Sequence, residues 1–208
     1  MKVLLINGSN KKNGCTFTAL NEVAIVLNKE NIETEIIQLG NTAIRDCIGC
    51  GFCRKNDGKC VFNDDIVNEV IEKAKNADGF VFGSPVYYAH PSGRLLSFLD
   101  RLFYAGSSAF AFKPGAAVVS ARRAGTTASI DVITKHFTIN KMPVISSNYW
   151  NMVHGNTPEE VMQDEEGLQI MRTLGENMAW ILKCIEAGKK AGIERHVTEP
   201  KIMTNFIR

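Results

Sequence analysis

Four of the six cysteines in this 208-residue chain crowd into one short stretch, as Cys47-x2-Cys50-x2-Cys53-x6-Cys60. Thiolates at such separations, in a segment relieved by Gly49, Gly51 and Gly58, can close around one ion or cluster. A [4Fe-4S] cluster takes four cysteine ligands, the number available here, and zinc accepts the same set. The thiols can also persist without metal. Three cysteines at two-residue intervals are more typical of iron-sulfur loops than of the paired C-x2-C knuckles of zinc sites. Cys15 and Cys184 stand alone, and Cys184, in an apolar helical pattern, reads as a small core residue.

The N-terminal stretch, residues 2–16, offers different chemistry. Four apolar residues from Val3 to Ile6 make a short buried-strand signal. A polar loop, Gly8-Ser-Asn-Lys-Lys-Asn-Gly-Cys-Thr16, then leads into a helical pattern. A helix N-terminus presents unpaired N–H groups and the positive end of its dipole, so this loop is a candidate phosphate cradle. Gly8 and Gly14 are not followed by Lys-Ser/Thr, and the G-x-G-x-x-G spacing is missing, so neither the triphosphate nor the dinucleotide fingerprint fits. A monophosphate site remains, such as flavin mononucleotide (FMN) needs after the first strand of a flavodoxin-like sheet.

Ser84-Pro-Val-Tyr-Tyr88 gives a rigid Pro turn carrying two aromatics, suited to bordering a planar heterocycle. Arg122 and Arg123 offer cations to an electron-rich ring edge or to a nucleotide phosphate, or are simply solvated. His90 and His154 fall in loops and can relay protons, whereas His136 sits on a helix where a local hydrogen bond is the commoner role. Trp150 can stack near a cofactor or anchor its loop to a neighbouring subunit.

The elements that must position these groups alternate regularly. Strands are expected at residues 2–6, 34–39, 80–82, 116–120 and 143–147. Helices are expected over residues 16–29, from Asp64 or Asp65, after Ser92, over 128–137, and from the Thr157-Pro-Glu-Glu160 capping box to about Gly188. Asp64 and Asp65 read as helix-capping carboxylates rather than catalytic acids. Five strands alternating with helices predict an α/β fold, a doubly wound parallel sheet with helices on both faces and right-handed crossovers. Ligands in such sheets bind at the carboxyl ends of the strands, where the loops after the first, third and fourth strands would converge.

The length predicts one domain, residues 1–190 with the cysteine-rich loop 47–60, followed by a tail over 191–208. A net charge of +2 gives no argument for nucleic acid or an anionic membrane as partner. The start carries only four apolar residues in a row, too few for a signal-peptide core, and no run reaches the ~18 of a membrane span, so we expect a cytoplasmic location. In that compartment, clustered cysteines point to ligands or redox chemistry rather than disulfides.

Together these residues resemble the flavodoxin-like NAD(P)H-dependent FMN reductases and the related iron-sulfur flavoproteins. The first loop looks like the family's phosphate loop, and Ser84-Pro-Val-Tyr-Tyr88 with Ser92-Gly93 and Phe98-Leu-Asp-Arg101 looks like its flavin-ring loop and following helix. The resemblance implies a five-stranded flavodoxin-like sheet of order 2-1-3-4-5. It implies an oxidoreductase that passes electrons from NAD(P)H through FMN to a small-molecule acceptor, such as a quinone or flavin, or to a redox protein. By position, Ser9, Lys11, Cys15 and Thr16 would hold the FMN phosphate. Pro85, Val86, Tyr87 and Tyr88 would line the isoalloxazine, and Arg122, Arg123 and Gly125 would approach its other edge. Lys11 stands where Arg is usual, and Cys15 where Asn or Ser is usual. The cysteine spacing is similar to that of the iron-sulfur flavoproteins, which implies as the alternative an electron carrier with a [4Fe-4S] cluster on Cys47, Cys50, Cys53 and Cys60. The cysteine loop, the Trp150 loop and the tail from Glu194 are extra surface, and a homodimer or higher homo-oligomer is expected.

Overall fold

Along the first strand, β1 (Lys2–Asn7), Val3, Leu4, Leu5 and Ile6 all have no exposed surface, so both faces of the strand are covered. The period-2 geometry of a strand divides them: Leu4 and Ile6 enter one apolar cluster, Val3 and Leu5 the other. Burying each such side chain stabilises the fold by about 1.5–3 kcal/mol, which makes this strand the centre of the sheet. The structure, a computed structural model, describes residues 1–204 and Phe206.

Around β1 lie β2 (Glu33–Gln38), β3 (Gly79–Tyr87), β5 (Gly115–Ala121) and β6 (Met152–His154), all parallel, in the order β2-β1-β3-β5-β6. The five parallel strands therefore take the expected 2-1-3-4-5 order. A two-residue strand, β4 (His90–Pro91), pairs antiparallel with the end of β3. One face is covered by α2 (Val67–Lys75), α3 (Gly93–Phe110) and α4 (Thr126–Ile139), with Phe80, Phe82, Phe110 and Phe137 in the cluster between them. The other carries α1 (Cys15–Lys29) and α6 (Glu165–Lys190), with the one-turn helix α5 (Pro158–Val161) between β6 and α6.

Four expectations are corrected. The run at 143–147 is not a continuous fifth strand. Val144 makes only an isolated bridge to Gly115, the chain leaves the sheet, and pairing resumes at β6. The stretch from Thr157 is two helices, because Asp164 caps a second one by accepting from Gly167 N–H at 3.0 Å. The helix expected at Asp64 or Asp65 opens at Val67, although Asp65 does accept the Val67 N–H at 3.1 Å. Cys184 is exposed rather than in the core. Ser92 and Thr157 cap α3 and α5 as expected.

Candidate functional site

The carboxyl ends of β1, β3, β5 and β6 bring four loops to one edge of the sheet, and cross-links between them set its shape. The first loop is held from below by the fully buried Asn7. Its Nδ2 donates to Gln38 Oε1 at 2.6 Å, and Gln38 Nε2 donates to the Ser9 carbonyl at 2.5 Å. Asn7 Oδ1 takes the Ser9 N–H, and Ser9 Oγ takes the Lys11 N–H, each at 3.1 Å. Gly8 donates its N–H to Gly83 at 2.8 Å and receives the Ser92 hydroxyl on its carbonyl at 2.9 Å, so this loop is tied to β3 and to the start of α3.

The loop ends on a helix terminus with free donors. No side chain caps α1, and the N–H groups of Cys15, Thr16 and Phe17 have no acceptor among the described residues. This is the arrangement that accepts an anion. Lys11 is exposed beside it. Burial pushes the Cys15 thiol up from its ordinary pKa, and the thiol donates to the Gly155 carbonyl at 3.6 Å, which links the first loop to the end of β6. Thr16 is turned inwards: it is buried, and its hydroxyl shares a hydrogen bond of 2.8 Å with Ser120 of β5. Its side chain therefore braces helix against strand, and only its backbone N–H faces the cradle.

After β3 the turn is not at Pro85, which lies within the strand. It is a two-residue hairpin at Tyr88 and Ala89, with φ of 49° and 63°. Both residues occupy the left-handed region, which costs a non-glycine residue roughly 1–2 kcal/mol. The hairpin projects Tyr87 and Tyr88 from the sheet edge, and Tyr88 is fully exposed. Ser84 holds its base, its hydroxyl accepting the Ser92 N–H at 2.9 Å. Against it stands Gly125, at φ 91°, where a Cβ would lie 2.9 Å from Val86 Cγ1 and 2.5 Å from Ala89 Cα. Arg122 and Arg123 precede this glycine, exposed, with no ion pair among the described residues. The His154 ring approaches the Arg123 carbonyl at 3.1 Å, and the His154 N–H is held by Asp164 at 2.7 Å. The strand ends thus gather Ser9, Lys11, Cys15, Tyr87, Tyr88, Arg122, Arg123 and Gly125 at one edge.

His90 is exposed in β4, and His136 makes a local hydrogen bond, its Nδ1 lying 3.2 Å from the Val132 carbonyl. Trp150 is half-exposed and meets Tyr149 edge-on, with ring centroids 4.7 Å apart.

The cysteine loop forms a separate centre over α3. Cys47, Cys50, Cys53 and Cys60 line one cavity of about 110 Å³, floored by Arg101, Tyr104 and Ala105. Gly58 permits this docking, since a Cβ there would lie 2.8 Å from the Ala105 carbonyl. Among the described residues no three Cys, His, Asp or Glu side chains converge as the ligands of a single ion would. Sequence reasoning placed Arg101 only in the helix after the flavin-ring loop and missed its position beneath the cysteines. Arg101 is buried and pairs with the equally buried Asp65, and its Nε donates to Cys60 Sγ at 3.2 Å. Burial works against the Arg101 charge, but Asp65 and the Cys60 sulfur outweigh it and raise its pKa. A charged residue on an otherwise apolar helix face was the available signal.

No helix among the described residues is long and apolar enough to cross a membrane. Curated relatives with similar sequences include an iron-sulfur flavoprotein of Methanocaldococcus jannaschii, 36% identical over 194 residues that cover 89% of this chain and all of that one. An iron-sulfur flavoprotein of Methanosarcina thermophila is 28% identical, over 91% of this chain and 99% of that one. Among solved structures, a flavodoxin from the domain Archaea superposes with a TM-score of 0.60 at 16% identity, over 88% of this chain and 99% of that one, which bears on the fold alone. The model of the NADPH-dependent FMN reductases matches residues 1–157, the whole segment that builds the strand-end edge, and the chain belongs to that family.

Proposed function

We propose that this flavin-dependent oxidoreductase holds FMN across the four strand-end loops and passes electrons from NAD(P)H to a small-molecule acceptor or a redox protein. The observation that carries this reading is the convergence of an uncapped helix N-terminus, a strained Tyr88-Ala89 hairpin and an exposed Arg pair on one sheet edge. When bound, FMN supplies the chemistry, a ring that accepts electrons from one substrate and gives them to another.

The chain's own residues bind and orient. The N–H groups of Cys15, Thr16 and Phe17, with Ser9 and Lys11, receive the phosphate. The backbone of residues 85–88 and the two tyrosines border the ring, and Gly125 lets the neighbouring loop close against them. Arg122 and Arg123 face solvent, where they can meet the phosphates of the nucleotide donor. On this reading the chemistry lies on FMN, and we assign no described residue at this edge as an obligatory acid or base. The test is to titrate the purified chain with FMN and follow the visible spectrum, then assay NADPH and NADH oxidation with quinone and flavin acceptors. An affinity no tighter than about millimolar would sink the proposal.

A second reading, an electron carrier with a [4Fe-4S] cluster, is favoured by one observation: all four cysteines line a single cavity. A [4Fe-4S] cluster takes four cysteine ligands, the number that this cavity offers. The names of the two curated relatives agree with it. Anaerobic purification discriminates. A brown protein with about four irons per chain and no NAD(P)H oxidation supports the carrier, and a yellow, iron-free, NAD(P)H-oxidising protein supports the reductase. We further propose a homodimer, its contacts supplied by the exposed Trp150 and the apolar tail residues Ile193, Val197, Ile202 and Met203; a monomeric mass in solution would refute it.

A further inference from the structure

We propose that Arg101 is the positioning residue of the cysteine centre: it fixes the Cys60 sulfur and sets the reduction potential of the iron-sulfur group bound there. The inference rests on the cluster reading above and goes beyond it, because it distinguishes one cysteine from the other three and assigns the cause to a residue outside the cysteine motif.

Arg101 lies on α3, 41 positions from Cys60, with its side chain 1% exposed. A guanidinium has five N–H donors and no acceptor, and here each has a use. Nε donates to Cys60 Sγ at 3.2 Å. Nη1 donates to Asp65 Oδ2 and, at 3.3 Å, to the Arg45 carbonyl. Nη2 donates to Asp65 Oδ1 at 3.1 Å and to the Phe62 carbonyl at 3.3 Å. Phe62 covers the group, its ring centroid 5.1 Å from Arg101 Cζ and 4.8 Å from Arg45 Cζ. A fork held at every corner presents its remaining N–H in one direction, and that direction is the sulfur.

Cys60 is correspondingly fixed. Asn68 of α2 clamps its backbone, accepting the Cys60 N–H at 2.8 Å and donating to the Cys60 carbonyl at 3.0 Å. Cys50 is exposed, and Cys53 makes one contact of 3.7 Å to the Tyr104 carbonyl. A plain core ion pair would need Asp65 alone. What it leaves unexplained is the Nε–H spent on sulfur at the floor of a cavity lined by three more thiols. Because Arg can only donate, the sulfur must accept, as a deprotonated or metal-bound sulfur does well. Hydrogen bonds to ligand sulfurs and local charge are what tune the potentials of such centres. Asp65 offsets the Arg101 charge and so limits the rise in potential that the N–H donor produces.

The test compares wild-type chain with Arg101→Lys and Asp65→Asn, each purified anaerobically, loaded with iron and sulfide, and checked for folding by circular dichroism. Arg101→Lys keeps a cation for Asp65 but loses the fork that reaches sulfur. Its cluster should be reduced at a lower potential, by about 59 mV if the contact shifts a one-electron equilibrium tenfold, and should lose iron to a chelator several-fold faster. Asp65→Asn leaves the cation uncompensated and should move the potential the other way. Opposite shifts are not produced by general loosening, and Asp65→Asn keeps the question open to measurement should Arg101→Lys fail to fold. If wild type holds about four irons and the variants keep its potential, the role of Arg101 is overturned while the cluster reading stands. If wild type takes up no iron, both fall.

Discussion

Gly125 stands so close to Ala89 that a Cβ on the glycine would lie 2.5 Å from the alanine Cα. This near-contact joins the loop after β5 to the hairpin after β3, two segments that are 36 residues apart in the chain. Gly125→Ala would meet both the clash and the left-handed φ of 91°. We expect it to weaken FMN binding at least about tenfold and to cost at least ~2 kcal/mol in stability, measured by flavin titration and urea unfolding. Wild-type values in both would show that the two loops close independently.

Ala89 itself sits at φ 63°, in a turn where glycine is the relaxed residue. Ala89→Gly should raise stability by up to ~1 kcal/mol while loosening the wall that Tyr87 and Tyr88 build. Thermal unfolding of the apoprotein and FMN affinity are therefore expected to move in opposite directions.

Gln38 reaches from β2 to the Ser9 carbonyl and to Asn7, and so supports the first loop from beneath. Gln38→Leu frees the first loop and should lower FMN affinity about tenfold, close to 1.4 kcal/mol. Binding of riboflavin, which lacks the phosphate, should not change. A parallel loss for both ligands would place the defect in the sheet.

The inward hydroxyl of Thr16 makes its replacement a structural experiment. Thr16→Val leaves the buried Ser120 hydroxyl without its partner at a cost of ~1–3 kcal/mol. Equilibrium unfolding should therefore show a larger loss than the free energy of FMN binding does. The reverse ranking would mean that the hydroxyl reaches the phosphate.

Glu35 accepts from Lys2 at 2.8 Å and also pairs with Lys73, and these hydrogen bonds hold its pKa below the ordinary carboxylate value. A depressed folded pKa contributes stability above the unfolded value of 4.5 and loses it as pH falls through the folded one. Glu35→Gln should cost up to ~1 kcal/mol near neutral pH. That deficit should shrink below about pH 4.5 and vanish in stronger acid. A deficit independent of pH would rule out the charge as its source.

The alternation of apolar runs with amphipathic helical faces was enough to read a parallel sheet with helices on both faces, because those signals are local and repeat every two or 3.6 residues, whereas the strand order came from the family resemblance. The edge strand was not so readable. Pro143, Val144 and Ile145 look like a strand, yet their backbone pairs only with Gly115 at the start of β5, and residues 152–154 complete the pairing, where Val119 donates to the Asn151 carbonyl. Which of two apolar stretches joins an edge depends on where the neighbouring strand ends, and that is tertiary information.

The sequence alone determined the residues available to the chemistry: four cysteines in one short loop, a Gly-Ser-Lys loop at a helix start, a Pro-Tyr-Tyr segment and an Arg pair. Only the tertiary structure decided their directions. It turned Thr16 into the core, moved the tight turn from Pro85 to Tyr88 and Ala89, and set Arg101 and Asp65 beneath Cys60. Residue type and spacing record what a side chain can do, whereas the partner it meets depends on helices and strands crossing far along the chain. No local periodicity carries that crossing.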